Sequence, residues 1–176
     1  MSHRISSVGW LALFVALGFV TVSLAQDHGD KDKGKGTKFA HHAAMAGMAE
    51  VKLGQLALEK ASSEDVKKFA QQMIDDHTKA NDELKALAQS KSIDLPQDIG
   101  KHQKDYDKLA KLSGAEFDKE YIDGMVKDHK EVVALFEKEA NKGDDPDTKA
   151  WAAKTLPTLQ GHLTHAQEMQ KAMKGK

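Results

Sequence analysis

The chain has 176 residues, of which 30% are charged and 40% hydrophobic, proportions that are ordinary for one globular domain. Its formal net charge is −1, so nothing favours a nucleic acid or an anionic membrane surface as a partner. It has only 3 prolines and no run of alternating β-branched residues, which favours helices over strands. The absence of cysteine excludes disulfides and a lipoprotein anchor.

The N-terminus has the features of a secretory signal peptide over residues 1–25. A short basic start, MSHR, precedes the uncharged stretch VGWLALFVALGFVTVSLA. Ser23 and Ala25 place small residues three and one positions before a cleavage site at Gln26. We therefore expect export to the periplasm or the outer membrane. A retained membrane anchor is the alternative, because the apolar stretch approaches the length that spans a bilayer.

The segment after the predicted cleavage site differs in composition from the rest of the chain. Residues 26–36, QDHGDKDKGKG, are charged and rich in glycine, and they cannot bury apolar surface. This composition predicts a disordered linker. The folded domain is expected over residues 37–174.

Within this domain, apolar residues recur at three- and four-residue steps in four segments, which predicts four long helices over about 38–61, 62–91, 113–143 and 145–173. Ser62 with Asp65 resembles a capping box at the start of the second helix. A similar spacing opens the third, and Asp145-Pro146 has the pattern of an N-cap and first-turn proline for the fourth. Pro157 should bend the fourth helix or break it in two.

The connections between the helices predict a four-helix bundle. The first and last links are short, whereas residues 92–112 form a long middle link in which 101–112 could be a short helix. Such a link can carry the chain from one end of the bundle to the other. The second and third helices would then be parallel, as in ferritin-like folds, and an up-down-up-down bundle is the alternative.

A repeat relates the second and third predicted helices. A shift of 52 residues aligns FAQQMIDDHTKANDEL, residues 69–84, with YIDGMVKDHKEVVALF, residues 121–136. The shift places His77 on His129 within an otherwise apolar stripe. We interpret the repeat as two related helical hairpins.

Four positions of the predicted core stripes are polar, one on each helix: Glu50, His77, His129 and His162. At about 1.5 Å of rise per residue, Glu50 and His77 lie about 18 and 21 Å from the turn that joins their helices. His129 and His162 lie about 21 and 24 Å from theirs, so all four are expected at one level. A buried carboxylate that faces three imidazoles is either part of a hydrogen-bonded cluster or a metal ligand.

One carboxylate and three imidazoles suit a single divalent transition metal, either Zn²⁺, Fe²⁺, Mn²⁺, Cu²⁺ or Ni²⁺. His165, one turn from His162, could join the site or replace that residue, whereas His42 lies too far from Glu50 to share the ion. A single histidine in a helix stripe is more often a hydrogen-bonded core residue than a ligand, so the metal hypothesis depends on the grouping of four. Asp76 and Asp128 should face a side wall or solvent, since neighbours on a helix point about 100° apart.

Three segments carry a resemblance to a known family: EVKLGQLALEKASSEDVKKFAQQMIDDH (50–77), GAEFDKEYIDGMVKDH (114–129) and LPTLQGHLTHA (156–166). They resemble an exported bacterial domain-of-unknown-function family of the ferritin-like class, whose members are often labelled predicted outer-membrane proteins. The resemblance covers about residues 37–173. It implies a ferritin-like four-helix bundle in the cell envelope and brings no established reaction.

The chain departs from the di-iron enzymes of the ferritin-like class. Those enzymes place Glu three residues before His on two helices. Here Ile74 precedes His77 and Val126 precedes His129 at that spacing. The carboxylates that would bridge two irons are therefore missing, which argues against ferroxidase or oxygenase chemistry.

Two functions follow as hypotheses. The first is an exported protein that binds one transition metal in its core and serves metal homeostasis or a stress response. The second is a non-catalytic envelope module that contacts a protein or the cell wall, in which the polar layer only fixes helix register. We do not expect an enzyme, because no nucleophile elbow, phosphate-binding loop or zinc-protease motif is present.

Overall fold

The computed structural model describes residues 33–175, with side chains from Gly36 onward. The predicted signal peptide, residues 1–25, lies outside this part, as does most of the predicted linker. The described chain forms five α-helices, α1 Lys33–Lys60, α2 Glu64–Ser90, α3 Gln103–Leu109, α4 Gly114–Lys142 and α5 Pro146–Lys174, and a 3₁₀ turn at Gly100–His102. No strand occurs among these residues, so the predicted all-α fold is confirmed. None of these helices has both the length and the apolar character needed to cross a membrane.

Helix α1 begins about five residues earlier than the sequence predicts. Its first turn includes residues 33–36, which were expected to belong to the linker. Gly36 lies against the start of α5, where an added Cβ would be 3.4 Å from Cβ of Asp145 and 3.5 Å from Oγ1 of Thr148. Packing against α5 therefore extends the helix into a segment whose composition alone does not favour one.

Two apolar clusters, one at each end of the bundle, define the direction of the helices. The first apolar cluster joins the ends of α1 and α5 to the starts of α2 and α4, through residues such as Leu53, Ala166, Phe69 and Phe117. The second joins the starts of α1 and α5 to the later parts of α2 and α4, through Phe39, Trp151, Leu84 and Phe136. Helices α2 and α4 are therefore parallel, which confirms the ferritin-like arrangement and excludes up-down-up-down.

Around the bundle, each helix contacts two others in the order α1, α2, α5, α4. Parallel helices α2 and α4 thus face each other across the diagonal, and so do α1 and α5. The 52-residue repeat aligns α2 with α4, which corresponds to a half-turn about the bundle axis. The repeat thus relates diagonal helices, and its interpretation as two related hairpins stays a prediction.

Helix α5 continues without interruption through Pro157. A break in two was one of the predicted outcomes, and it does not occur. Trp151 and Ala152 before the proline and Leu159 after it are all buried in the second apolar cluster. Because both halves of α5 are held by the same packing surface, the loss of one backbone hydrogen bond does not separate them.

The helix starts agree with the predicted caps only in part. Asp145 caps α5 through its carboxylate, which accepts hydrogen bonds from Asp147 N at 3.1 Å and Thr148 N at 2.9 Å, and Pro146 follows as predicted. The α2 cap is Ser63, whereas the sequence had indicated Ser62. Ser113 occupies the cap position of α4 but makes no side-chain hydrogen bond there.

Ser62 has a different role, because the turn between α1 and α2 is fastened to α4 by the buried carboxylate of Asp118. This carboxylate accepts hydrogen bonds from Ser62 N at 3.0 Å, Ser62 Oγ at 2.6 Å and Ser63 N at 3.0 Å. Bonds to a charged acceptor are stronger than those between neutral groups. The contact joins the two hairpins at the end where the first apolar cluster lies.

We expect Asp118→Ala to destabilise the protein by about 2–4 kcal/mol, since it leaves two backbone donors and one hydroxyl of the turn without their acceptor. Urea denaturation followed by circular dichroism measures the change. Glu116→Ala, at an exposed acid of the same helix, is the matched control and should cost less than about 1 kcal/mol. Equal effects of the two substitutions would show that Asp118 does not fasten the turn.

Candidate metal centre

The structure places the four predicted polar residues in one layer between the two apolar clusters. Glu50 comes from α1, His77 from α2, His129 from α4 and His162 from α5, and all four are buried. Each of these residues lies near the middle of its helix and continues the apolar stripe of that helix. The side chains therefore face inward at mid-height of the bundle. It forms a polar interruption in an otherwise apolar core.

The three histidine rings converge. Their ring centroids are 5.7 Å apart for His77 and His129, and 5.4 Å apart for each of the two pairs that involve His162. One nitrogen from each ring lies within 4.8 Å of the other two. An ion equidistant from three atoms at that upper limit would lie about 2.8 Å from each, against about 2.0–2.1 Å for a Zn–N bond. Shifts of under about 1 Å would therefore complete a three-nitrogen site.

A backbone carbonyl orients the ring of His129. Its Nδ1 lies 3.0 Å from the carbonyl oxygen of Met125, one turn earlier on α4. Since a carbonyl can only accept, this nitrogen carries the hydrogen and donates it. The lone pair is therefore on Nε2, which is buried and has no hydrogen-bond partner in the described chain.

A carboxylate orients the ring of His162 in the same manner. Its Nε2 donates to Oδ2 of Asp76 at 2.8 Å, across the interface between α5 and α2. The lone pair then lies on Nδ1, which is also buried and unpartnered among the described residues. Such an outer partner, which fixes the tautomer and the ring orientation, is typical of histidines that bind metal ions.

His77 completes the group of three. Its Nε2 is buried and has no partner in the described part of the chain. Each ring of the group thus has a buried nitrogen without a hydrogen bond in the described chain, although buried polar atoms are nearly always paired. A metal ion with nitrogen affinity would satisfy all three at once, so the residues present fit such an ion.

Burial keeps the three rings neutral, which is the protonation state that binds a metal. Desolvation lowers the pKa of His129 to about 4, and the nearby His162 ring adds to this effect. Desolvation, with His129 and His162 beside it, holds the pKa of His77 well below its usual range. The pKa of His162 is also lowered by burial, while its hydrogen bond to Asp76 partly opposes the shift.

Glu50 lies beside the group of three and outside it. Its Oε1 is 3.7 Å from Nδ1 of His129. This is the nitrogen that bonds to the carbonyl of Met125, and not the unpartnered Nε2. Desolvation raises the pKa of Glu50 to about 8, with a smaller contribution from the charge of Asp128. Both partners of this contact are therefore neutral near pH 7, and the contact is not an ion pair. Glu50 was predicted as a ligand, but the geometry gathers only the three histidines.

The other histidines considered from the sequence lie elsewhere. His165 is exposed, and its ring packs edge-on against Phe69 with centroids 5.0 Å apart. It neither joins the group nor replaces His162, because successive turns of α5 point it to the outer face. His42 is exposed on α1, consistent with the expectation that it does not share the ion with Glu50.

A surface hollow of about 100 Å³ between α2 and α5 reaches the group. Asp76, His77 and His162 line its inner part, and the ion pair between Lys154 Nζ and Glu83 Oε1, 2.9 Å apart, also lines it. Solvent therefore reaches the edge of two of the three rings. This hollow brings the protein surface close to the group of three histidines.

Sequence reasoning missed the role of Asp76. The prediction that it faces a side wall or solvent overlooked that the wall of α2 on that side is α5, which carries His162. The order of the helices around the bundle would have revealed this contact. A residue that points 100° away from the core stripe of α2 faces a neighbouring helix. The sequence also gave no indication of a second group, His102, Asp105 and Asp128, whose ligand atoms lie within 4.8 Å of one another.

Comparison with protein families identifies the chain. A family model described as "Domain of unknown function (DUF4142)" matches residues 22–169. The chain belongs to the DUF4142 family. This confirms the resemblance to a domain-of-unknown-function family, and no curated protein matches the chain.

Solved structures of other proteins share the fold of this DUF4142 protein. A DUF305 fragment from Deinococcus radiodurans is 13% identical with a TM-score of 0.70, over 79% of this chain and 97% of that one. A DUF305 protein from Streptomyces coelicolor, described as secreted, is 12% identical with a TM-score of 0.66, over 77% and 91%. CopM in its Cu(II)-bound form is 19% identical with a TM-score of 0.64, over 78% and 96%. At these identities the likeness establishes the fold alone.

The raised pKa of Glu50 makes a prediction about the metal-free protein. The unfolded carboxyl loses its proton near pH 4.5, whereas the folded one keeps it to about pH 8. Raising the pH through this interval therefore favours the unfolded state, by up to about 1.4 kcal/mol per pH unit. Glu50→Gln removes the titration, so its stability relative to wild type should increase from pH 5 to 8.

Chemical denaturation at several pH values in the presence of a chelator measures this difference. The titrations of the histidines are common to both proteins and cancel in the comparison. Glu59→Gln, at an exposed acid near the end of α1, is the control and should follow wild type. A stability difference that does not change with pH would contradict a neutral, buried Glu50.

Proposed function

We propose that this protein binds one transition-metal ion in the core of its bundle, through His77, His129 and His162, and that it serves metal homeostasis or a metal-related stress response outside the cytoplasm. The observation that carries the proposal is the convergence of three buried histidines, which bring ring nitrogens within 4.8 Å of one another and each of which has a buried nitrogen without a hydrogen-bond partner in the described chain. Export rests on the predicted signal peptide, and the description of one structural neighbour as secreted agrees with it.

Several features support binding over a purely structural role. Burial keeps the imidazoles neutral, so an ion does not have to displace protons from the rings near pH 7. The carbonyl of Met125 and the carboxylate of Asp76 fix the tautomers of two rings, which leaves a lone pair on the buried, unpartnered nitrogen of each. A polar cluster that only fixed the register of the helices would have hydrogen bonds to all of its ring nitrogens. In the described chain, three of the buried ring nitrogens have none.

Copper is the first ion to test. CopM, a neighbour in fold, has been crystallised with Cu(II), Cu(I) and Ag bound. Three neutral imidazoles suit Cu, Zn, Fe and Ni, whereas Mn²⁺ prefers oxygen ligands. We therefore rank copper and zinc ahead of the other ions that the sequence suggested.

Cu(I) binding to the protein without a histidine tag tests the proposal. We expect one Cu(I) per chain, measured by competition with a chromophoric chelator. At 100 times Kd the ion should stabilise the fold by about 2.7 kcal/mol, which raises Tm by on the order of 5–10 °C. His77→Gln with His129→Gln should remove both effects. His42→Gln, at an exposed histidine of α1, is the matched control and should leave them unchanged.

Equal Cu(I) affinity in the double variant and in wild type would overturn the proposal. In that case the alternative gains support, namely an envelope module with a partner protein or a cell-wall contact. Replacing His77 and His129 by Leu then decides the role of the layer. A gain in stability of about 1–4 kcal/mol with no effect on metal binding would identify the layer as a register device.

The outer partner of His162 makes a separate prediction. Asp76→Asn should weaken metal binding by about 10- to 100-fold, because the ring loses the carboxylate that sets its tautomer. Asp75→Asn is the control, since Asp75 is exposed on the same helix and accepts only from Gln71, at 2.9 Å. Equal affinities of the two variants would show that Asp76 does not orient a ligand.

A further inference from the structure

A second group of potential ligands lies on the opposite wall of the bundle from Asp76. His102 comes from the 3₁₀ turn, Asp105 from α3 and Asp128 from α4, and one ligand atom of each lies within 4.8 Å of the other two. Asp128 precedes His129 but points about 100° away from it, so it faces outward from the three-histidine layer. The two groups therefore share no residue.

Two members of this group are buried without partners. His102 is 8% exposed and Asp128 is 9% exposed. Neither side chain makes a hydrogen bond or an ion pair within residues 36–175, and both line surface hollows, so their polar atoms are open to an ion from solvent. Their ligand atoms are close enough to share one bound atom, and they are not joined directly.

The backbone around His102 is fixed, so the group is not an accident of a loose link. Gly100 has a φ of +52°, a conformation that favours glycine. A Cβ at this position would lie 2.7 Å from Sδ of Met45, which shows how closely the link approaches α1. Ile99, just before it, is buried. The tight turn and this packing place His102 next to α4.

The surroundings have space and charge for a hydrated cation. Asp128 lines two surface hollows, one of about 210 Å³ shared with His102 and one of about 310 Å³ shared with Asp105. At about 30 Å³ per water, either hollow has room for the waters that complete a coordination sphere. Glu131 adds a third carboxylate nearby, against the charges of Lys101 and Lys127. Beside a neutral His102, these groups leave one net negative charge.

We propose that His102, Asp105 and Asp128 form a second cation site, which takes a hydrated divalent ion with a preference for oxygen ligands. Two carboxylates and one imidazole suit Mn²⁺ or Zn²⁺, whereas three imidazoles hold Mn²⁺ poorly. The two sites should therefore prefer different metal ions. Mn(II) reports on the second site, and Cu(I) reports on the three histidines.

Mn(II) titration of the whole protein tests the site, with the electron paramagnetic resonance signal of free Mn(II) as the readout. We expect one Mn(II) per chain. Asp105→Asn should weaken binding at least about tenfold, and it should not disturb folding because Asp105 is exposed. Asp107→Asn is the matched control, since this exposed acid of the same short helix accepts from Gln103 at 2.8 Å outside the group.

Two further arms separate this site from the proposed metal centre. His77→Gln with His162→Gln should leave Mn(II) affinity within about twofold of wild type, because neither residue belongs to the second group. Bound Mn(II) should broaden the ring resonances of His102 more than those of His77. The absence of Mn(II) binding, equal affinity in Asp105→Asn and Asp107→Asn, or loss of Mn(II) in the His77 and His162 variant would each overturn the proposal.

Discussion

Three imidazole rings are removed from water at the centre of this bundle, and the surrounding structure must compensate for their desolvation. Each buried nitrogen without a partner costs about 1–3 kcal/mol. The apolar clusters on either side stabilise the fold enough to tolerate this cost, and the bonds to Met125 and Asp76 restrict the rings to one tautomer each. The molecule therefore keeps a polar layer whose buried nitrogens lack hydrogen-bond partners in the described chain, and under the proposed function an added ion would satisfy them.

The helix directions determine which residues can meet in that layer. Because α2 and α4 are parallel and diagonal, the repeated Asp-His pairs at 76–77 and 128–129 are related by a half-turn about the bundle axis. Both histidines then point to the axis, and the two aspartates point to opposite walls. The long link that this topology requires also supplies His102 and Asp105 beside α4. One topological requirement thus positions both groups of candidate ligands.

Much of the fold could be predicted from periodicity, because each helix has a continuous stripe of apolar residues and the link lengths restrict the topology. The level of the polar layer also followed from counting residues at a constant rise from each turn. Counting placed Glu50 at the level of the histidines, yet it lies outside their group, because counting gives the height of a side chain and not its distance from a given nitrogen. The contacts of Ser62 with Asp118 and of Asp76 with His162 join different helices, so no local pattern revealed them.

The half-turn that relates the diagonal helices is broken at one chemical position. Where α5 presents His162 to Asp76, α1 presents Glu50 toward Asp128, so an acid faces an acid instead of an imidazole. The bundle consequently has an imidazole beside the aspartate between α2 and α5, and a neutral carboxyl near the aspartate between α1 and α4. A near-symmetric scaffold thereby offers two faces of different chemistry, and under the two proposals an ion would meet different donors at each.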